Sequence, residues 1–514
     1  MSRTPVTRAL LAIACTVLAG APADAAGWRW YVDTNRDGTS EFNAYFGQGY
    51  DTCLPGDYDG DGRADYGVVR TTASSWRWFM DTNRDGHSEL HPDLTDEASG
   101  GTRFALDMDG DDRDDLVTVQ KEGAAWRWSI DTNRDGVPNV SVLFGFVDTD
   151  DTGEDRTDRL VPADYDGNGT VDIAIARKAG NGRWRWYVDT NRNGVTNVQY
   201  TFGVADIGEE GTDTSDIPEP HDYDGDGAAD PAVRRAVDGW WTWYADTDRD
   251  GLSEISQTFG KTGDIPFPAD YDGDGVTDFA VVRRDGANWR WYVDTDRNGS
   301  SNINRRFGLV IDHPVPADYD GDGRADFAVV RPPLSTNTYR LPAADGKSVK
   351  VSRDSYGHWP DKENFDLVIT PSHQAHGVAA AAQGVVAFIE DDNSEDCPEG
   401  QSGDCNDNNN YVWLVHPGGE WTKYSHVQKD SVRLFAGLSE GDVVLAGQII
   451  GIQSDVGLAS GKHVHFEVGI PFDLDDPING GGWLKGYNLA PRFCNVPGQV
   501  LTQGVTYVAA PCGQ

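Results

Sequence analysis

The sequence is poor in positive charge. Against 84 aspartates and glutamates stand only 43 lysines and arginines, a formal net charge of −41 over 514 residues. A chain this acidic is a poor ligand for nucleic acid, so no nucleic-acid partner is expected. It also lacks a membrane span: the one sustained apolar run, Ala9 to Ala19, is too short to cross a bilayer. No amphipathic helical pattern appears in the first three hundred residues, which excludes a helical domain there.

The short apolar run reads as an export signal. Arg3 and Arg8 flank or precede it, and Ala23-Asp24-Ala25 follows as a small-residue cleavage site, so residues 1–25 form a signal peptide and no membrane insertion follows. The mature protein is expected to be secreted or periplasmic. Export permits disulfides, and the local pairs Cys397 with Cys405 and Cys494 with Cys512 are expected, leaving Cys53 over. A chain of 514 residues needs more than one core.

What is abundant is a repeat. Trp-x-Trp recurs at Trp28/Trp30, Trp76/Trp78, Trp126/Trp128, Trp184/Trp186, Trp241/Trp243 and Trp289/Trp291. The spacing of about 50 residues is that of propeller blades. Each pair lies in an aromatic and β-branched run such as Trp28-Arg29-Trp30-Tyr31-Val32, which reads as a strand. The array starts on a Trp-x-Trp half and ends on the other half. Pairing the two completes a sixth blade and removes both exposed edges. An all-β propeller, six blades over residues 26–333, is the expectation.

Two kinds of acidic loop alternate with the strands. The first kind has acids or amides at positions 1, 3, 5 and 9, and glycines in the turn. Its six copies are Asp57, Asp59, Asp61 and Asp65; Asp107, Asp109, Asp111 and Asp115; Asp164, Asp166, Asn168 and Asp172; Asp222, Asp224, Asp226 and Asp230; Asp270, Asp272, Asp274 and Asp278; and Asp318, Asp320, Asp322 and Asp326. That spacing is the first part of a calcium loop. The position-12 glutamate of an EF-hand is missing, and a strand follows instead of a helix, so an EF-hand is excluded. In the second copy, that of the third blade, Asp112 replaces the turn glycine, which puts that site in doubt. The second kind, Asp33-Thr34-Asn35-Arg36-Asp37-Gly38-Thr39-Ser40-Glu41, recurs from Asp81, Asp131, Asp189, Asp246 and Asp294. Asn139, Asn197 and Asn302 replace its glutamate, so those sites are expected to be weaker. Several structural calcium ions are expected in all. With Phe46-Gly47, Phe144-Gly145, Phe202-Gly203, Phe259-Gly260 and Phe307-Gly308, the array resembles the FG-GAP (integrin-like) β-propeller repeats.

After Pro332-Pro333 the acidic repeats stop. Residues 334–354 read as a linker, and 355–514 as a small β-rich domain of short strands between glycine turns. Near its end stands Gly461-Lys462-His463-Val464-His465-Phe466-Glu467. On a strand, residues i and i+2 share a face, so His463 and His465 point to one side. With His358, Asp366 and Tyr424-Ser425-His426 upstream, the domain resembles the lysostaphin-type (LytM-like) zinc metallopeptidases, secreted enzymes that cut peptide cross-links of bacterial cell walls. The resemblance implies one catalytic zinc held by His358, Asp366 and His465, with His463 and His426 as catalytic residues. It departs from the usual His-x-x-x-Asp spacing, since Lys362 stands four residues before Asp366; His373 or His376 is the nearest substitute for His358. Glu467 alternates onto the face of His465, as a partner behind the metal ligand. The implied function is a zinc metalloendopeptidase acting on cell-wall peptide, targeted by the propeller. The alternatives are a non-catalytic cell-wall or glycan-binding protein with an inactive peptidase-like domain, and a calcium-dependent adhesin.

Overall fold

The computed structural model describes residues 27–49, 51–71, 75–94, 101–147, 157–205, 215–354, 364–372, 374–394, 396–397, 408–459, 461–474, 476–479 and 482–513. The signal peptide, His358, His373, Cys405 and the side chain of Cys397 lie outside them, and so does the expected Cys397–Cys405 pair.

The repeats fold as a six-bladed β-propeller. Among the described residues each blade is a four-stranded antiparallel sheet. In the first blade, strands Phe42–Tyr45 and Arg29–Asp33, from the start of the array, join Phe327–Arg331 and His313–Pro314, from its end. Trp30 pairs with Val330 and Val32 with Ala328 across that seam. Closure leaves neither end of the array as an unpaired half-blade.

The tryptophans hold the blades together. Trp30, Trp78, Trp128, Trp186 and Trp291 are wholly buried. Each removes on the order of 200 Å² from water, or about 5 kcal/mol before entropy is counted. The Phe-Gly pair has a specific task here. The second tryptophan of five blades donates its Nε1–H to the phenylalanine carbonyl of that pair, at 2.9–3.1 Å, as Trp30 does to Phe46 and Trp291 to Phe307. The second blade has no Phe-Gly pair, and there Trp78 Nε1 is buried with no hydrogen-bond partner among the described residues.

The acidic loops of the first kind are linked in a closed ring. The backbone N–H of position 8 donates to the carbonyl of position 1 in the neighbouring loop: Asp114 to Asp57, Val171 to Asp107, Ala229 to Asp164, Thr277 to Asp222, Ala325 to Asp270 and Ala64 to Asp318, all at 2.6–2.8 Å. Gly62 sits at φ 80°, a left-handed turn that glycine adopts without penalty. In the third blade Asp112 takes the same turn at φ 61°. The backbone turn is kept there, because aspartate tolerates this region better than other side chains.

The second domain is a nine-stranded sheet flanked by short two-stranded ribbons, with one π-helical turn at Ser431–Phe435. Here the sequence reading needs correction. The segment 334–354, expected to be a linker, is built into this domain. Leu334–Tyr339 pairs in parallel with Ala490–Phe493, and Ser348–Arg353 lies in the large sheet between Phe365–Ile369 and Thr506–Val508. The polarity of Ser335-Thr336-Asn337-Thr338, read as a sign of a linker, serves another purpose. Ser335, Thr336 and Asn337 all donate to the buried carboxylate of Glu420, and so does Tyr339. A disulfide joins Cys494 to Cys512, while Cys53 is a half-buried free thiol. The two domains are in contact: Ala490 and Val500 pack into the sixth blade's core, and Arg284 is paired with Asp354, Nη2 to Oδ1 at 2.7 Å.

Candidate metal centre

Three adjacent strands of the large sheet build the site: Phe365–Ile369, Val464–Pro471 and Trp421–Ser425. Register places Asp366 opposite His465, and His465 opposite Ser425. Paired residues on antiparallel strands put their side chains on one face. Asp366 Oδ1 accordingly lies 3.0 Å from His465 Nδ1 and 3.4 Å from His463 Nε2. His463 stands just before its strand, bridged to Ser454, yet faces the same side. The expectation from the His-x-His spacing thus agrees with the geometry.

His426 arrives from the end of the Trp421–Ser425 strand. Its backbone turns left-handed, at φ 59°, which swings the ring back over the sheet. The His426 and His463 ring centroids are 4.6 Å apart, and those of His426 and His465 are 6.3 Å apart. Backbone carbonyls settle which nitrogen faces the site. His426 Nδ1–H donates to Val456 O at 2.8 Å and His463 Nδ1–H to Gly461 O at 2.7 Å. In each ring Nε2 is then the basic nitrogen. Burial holds His426 at about 3 and His465 below the ordinary histidine range, so both rings are neutral near pH 7. Neutral imidazole is the form that binds metal or takes a proton.

Behind His465 lies a pair that the sequence reading half found. Glu467 Oε2 is 3.9 Å from His465 Nε2 and 4.0 Å from Lys423 Nζ, and both Lys423 and Glu467 are fully buried. Glu467 was legible from alternation. Lys423 was not, because only cross-strand register brings it opposite Glu467. Trp483, also unforeseen, stands edge-on to His465 at 5.9 Å and carries the Lys423 ammonium 4.0 Å above its ring. No local pattern marks a residue that reaches the site from a loop.

His465 Nδ1 and Asp366 Oδ1 suit a divalent ion bound by imidazole and carboxylate, with His463 Nε2 close by. His376 is engaged elsewhere, its Nε2 donating to Pro371 O at 2.9 Å. His416 is likewise taken up by Gln383 O and Thr422 Oγ1.

The propeller loops bring their carboxylates together as their spacing predicts. Oxygens of Asp57, Asp59 and Asp61, and of Asp107, Asp109 and Asp115, lie within 4.8 Å of one another. The position-9 aspartates are wholly buried. Each uses one oxygen on the backbone N–H of position 2, as Asp65 Oδ2 does with Tyr58 at 2.9 Å. The other oxygen, Oδ1, has no hydrogen-bond partner among the described residues in Asp65, Asp172, Asp230 and Asp278. In the remaining two copies an arginine of the second loop kind reaches it: Arg134 to Asp115 at 3.1 Å, and Arg36 to Asp326 at 3.5 Å. Burial, with the neighbouring carboxylates, pushes Asp65, Asp115 and Asp326 up to about 8, and Asp172, Asp230 and Asp278 to about 7. A cavity of about 510 Å³ opens between the second and third blades' loops, lined by Asp57, Asp61, Asp107, Asp112 and Asp114 among others.

Comparison with known proteins separates the two halves. Residues 367–478 match the model of Peptidase family M23. The match holds His426, His463 and His465 and begins one residue after Asp366. The chain therefore carries a peptidase M23 (LytM-type) domain behind a six-bladed propeller. No curated protein matches the chain. Among solved structures, the WD40 domain of Toxoplasma gondii coronin aligns at 9% identity over 57% of this chain and 72% of its own, with a TM-score of 0.32. A putative peptidase M23 from Pseudomonas aeruginosa aligns at 16% identity over 40% and 79%, with a TM-score of 0.18. A zinc-containing peptidase from Vibrio cholerae aligns at 15% identity over 62% and 83%, with a TM-score of 0.15.

Proposed function

We propose that the chain is an exported zinc metalloendopeptidase that hydrolyses peptide bonds of cell-wall cross-links, with a calcium-braced propeller that holds it to the wall. The observation that carries the reading is the convergence of His465 Nδ1 and His463 Nε2 on Asp366 Oδ1, inside a domain of the M23 type. His465 and Asp366 are the zinc ligands, and His358 is the third. Bound zinc supplies a Lewis acid that polarises the scissile carbonyl and lowers the pKa of a water.

The chain's own groups do the rest. His463 Nε2 takes the proton of the attacking water, with its ring held in that tautomer by Gly461 O. His426 Nε2 faces the same space and relays to the leaving amine the proton that His463 took from the water, so no proton is gained or lost by the pair. Glu467 sits 3.9 Å behind His465 Nε2, where its negative charge favours a proton on that nitrogen and leaves Nδ1 to coordinate. Calcium in the first-kind loops is supported by the four buried Oδ1 atoms without a partner.

A second reading, a wall-binding domain that does not cut, is favoured by one feature: Lys362 stands where the similar peptidases place a histidine. Zinc counted per chain, beside release of peptide fragments from cell walls, separates the two. One zinc with fragments released supports the enzyme. Zinc-loaded protein that releases none overturns it in favour of binding.

A further inference from the structure

We infer that Arg284, a residue of the propeller, is a positioning residue for the metal centre: by clamping Asp354 it holds the strand against which Asp366 is set. The inference rests on the reading of Asp366 as a zinc ligand, and adds that the propeller helps to complete the site.

Arg284 stands near the end of the sixth-blade strand Phe279–Asp285, opposite Trp289, the first tryptophan of its pair. In blades two to five the residue opposite that tryptophan is Thr71, Lys121, Lys178 or Ala236. None of these side chains can make the planar two-bond fork that arginine makes with a carboxylate. Arg284 makes it with Asp354 of the second domain: Nη2 bonds Oδ1 at 2.7 Å, and Nη1 bonds Oδ2. The Trp289 ring, 5.4 Å away, supports the guanidinium from within the blade. The Asp354 side chain is 3% exposed, and its Oδ2 also accepts from Gln503 N at 3.3 Å. A carboxylate buried this deeply depends on its cation, and here the cation belongs to the other domain.

Asp354 directly follows the strand Ser348–Arg353, which neighbours Phe365–Ile369 in the large sheet. Their pairing runs regularly to Val351 opposite Leu367 and then shifts. Arg353 stands opposite Asp366, and Ser352 is the extra residue between. A bulge of this kind disrupts the ladder locally, and it falls at the proposed ligand. Two contacts compensate for it. Ser352 Oγ donates to the Asp366 carbonyl at 2.9 Å, and the Arg284 fork fixes the strand one residue beyond Arg353. Asp366 thus has His465 on one flank and a bulged, propeller-held strand on the other.

The test is made in the full-length chain. Arg284→Met removes the fork but leaves Asp354 buried without its cation. Adding Asp354→Asn removes that charge too, so the double variant reports loss of the clamp itself. Circular dichroism and melting curves establish the fold. In zinc-free protein kept in calcium, hydrogen exchange in the double variant should quicken over Ser348–Arg353 and Phe365–Ile369, and keep its wild-type rate over Trp421–Ser425. Zinc affinity, read by competition with a zinc-selective chelator, should be about tenfold weaker, the lower end for groups behind a metal ligand. A purely structural role would leave a folded double variant with wild-type zinc affinity. That result, or unchanged exchange in both strands, overturns the inference. Wild-type protein that takes up no zinc refutes the proposed enzyme instead, and the exchange rates alone then decide whether the propeller holds the strand of Asp366.

Discussion

Asp366 and His465 face each other across neighbouring antiparallel strands, with Asp366 Oδ1 3.0 Å from His465 Nδ1. The pairing lies 99 residues apart in the chain and is made by register, not by any local motif. His463 reaches the same oxygen from two residues away at 3.4 Å, but through its other ring nitrogen.

The two histidines should therefore fail differently. His465→Ala and Asp366→Ala each remove a ligand, so zinc content and wall-peptide release should fall together. His463→Ala should keep its zinc while turnover drops by roughly 10²–10⁴-fold, the usual share of general acid–base catalysis. Equal zinc loss in the His463 and His465 variants would show the roles to be misassigned.

Withdrawal of calcium should loosen the propeller. Each site saturated at a hundredfold its Kd contributes about 2.7 kcal/mol, so a calcium-selective chelator should lower the propeller's Tm by on the order of 5 °C or more. An unchanged melting curve, with no calcium in the untreated protein, would refute the calcium reading.

The buried Lys423–Glu467 pair should be costly to break and cheap to replace. Lys423→Met leaves a buried carboxylate uncompensated and should destabilise the domain by about 3–5 kcal/mol. Lys423→Met combined with Glu467→Gln should recover much of that loss. Denaturant titration of the single and double variants measures both. A single variant as stable as wild type would mean that Glu467 does not depend on the ammonium 4.0 Å away.

His416 gives a pH test away from any metal. Burial pushes its imidazole below the ordinary value. A base with a lowered folded pKa stays neutral in the fold while the unfolded chain binds a proton, so its contribution is fully present above about 6.5 and fades as the pH falls below it. Unfolding free energies between pH 7.5 and 5.5 should fall toward acid, and the slope should be shallower in His416→Gln. Identical slopes in the two proteins would count against it.

The sequence by itself determined the propeller. Trp-x-Trp pairs, acidic loops and unequal half-repeats are local signals at a fixed period, and the closure of Arg29–Asp33 onto Phe327–Arg331 follows from counting halves. It also determined that His463 and His465 share a face, since alternation along a strand is a local rule. The tertiary structure decided what depends on pairing across the chain. Register set Lys423 against Glu467 and drew residues 334–353 into the second domain, where Glu420 collects donors more than eighty residues away. It also decided which acidic loops of the first kind have a counter-charge within reach. Arg134 and Arg36 reach Asp115 and Asp326 from neighbouring loops, while Asp65, Asp172, Asp230 and Asp278 keep an oxygen with no hydrogen-bond partner among the described residues. Spacing fixes where carboxylates converge. Only the folded neighbours fix whether anything already neutralises them.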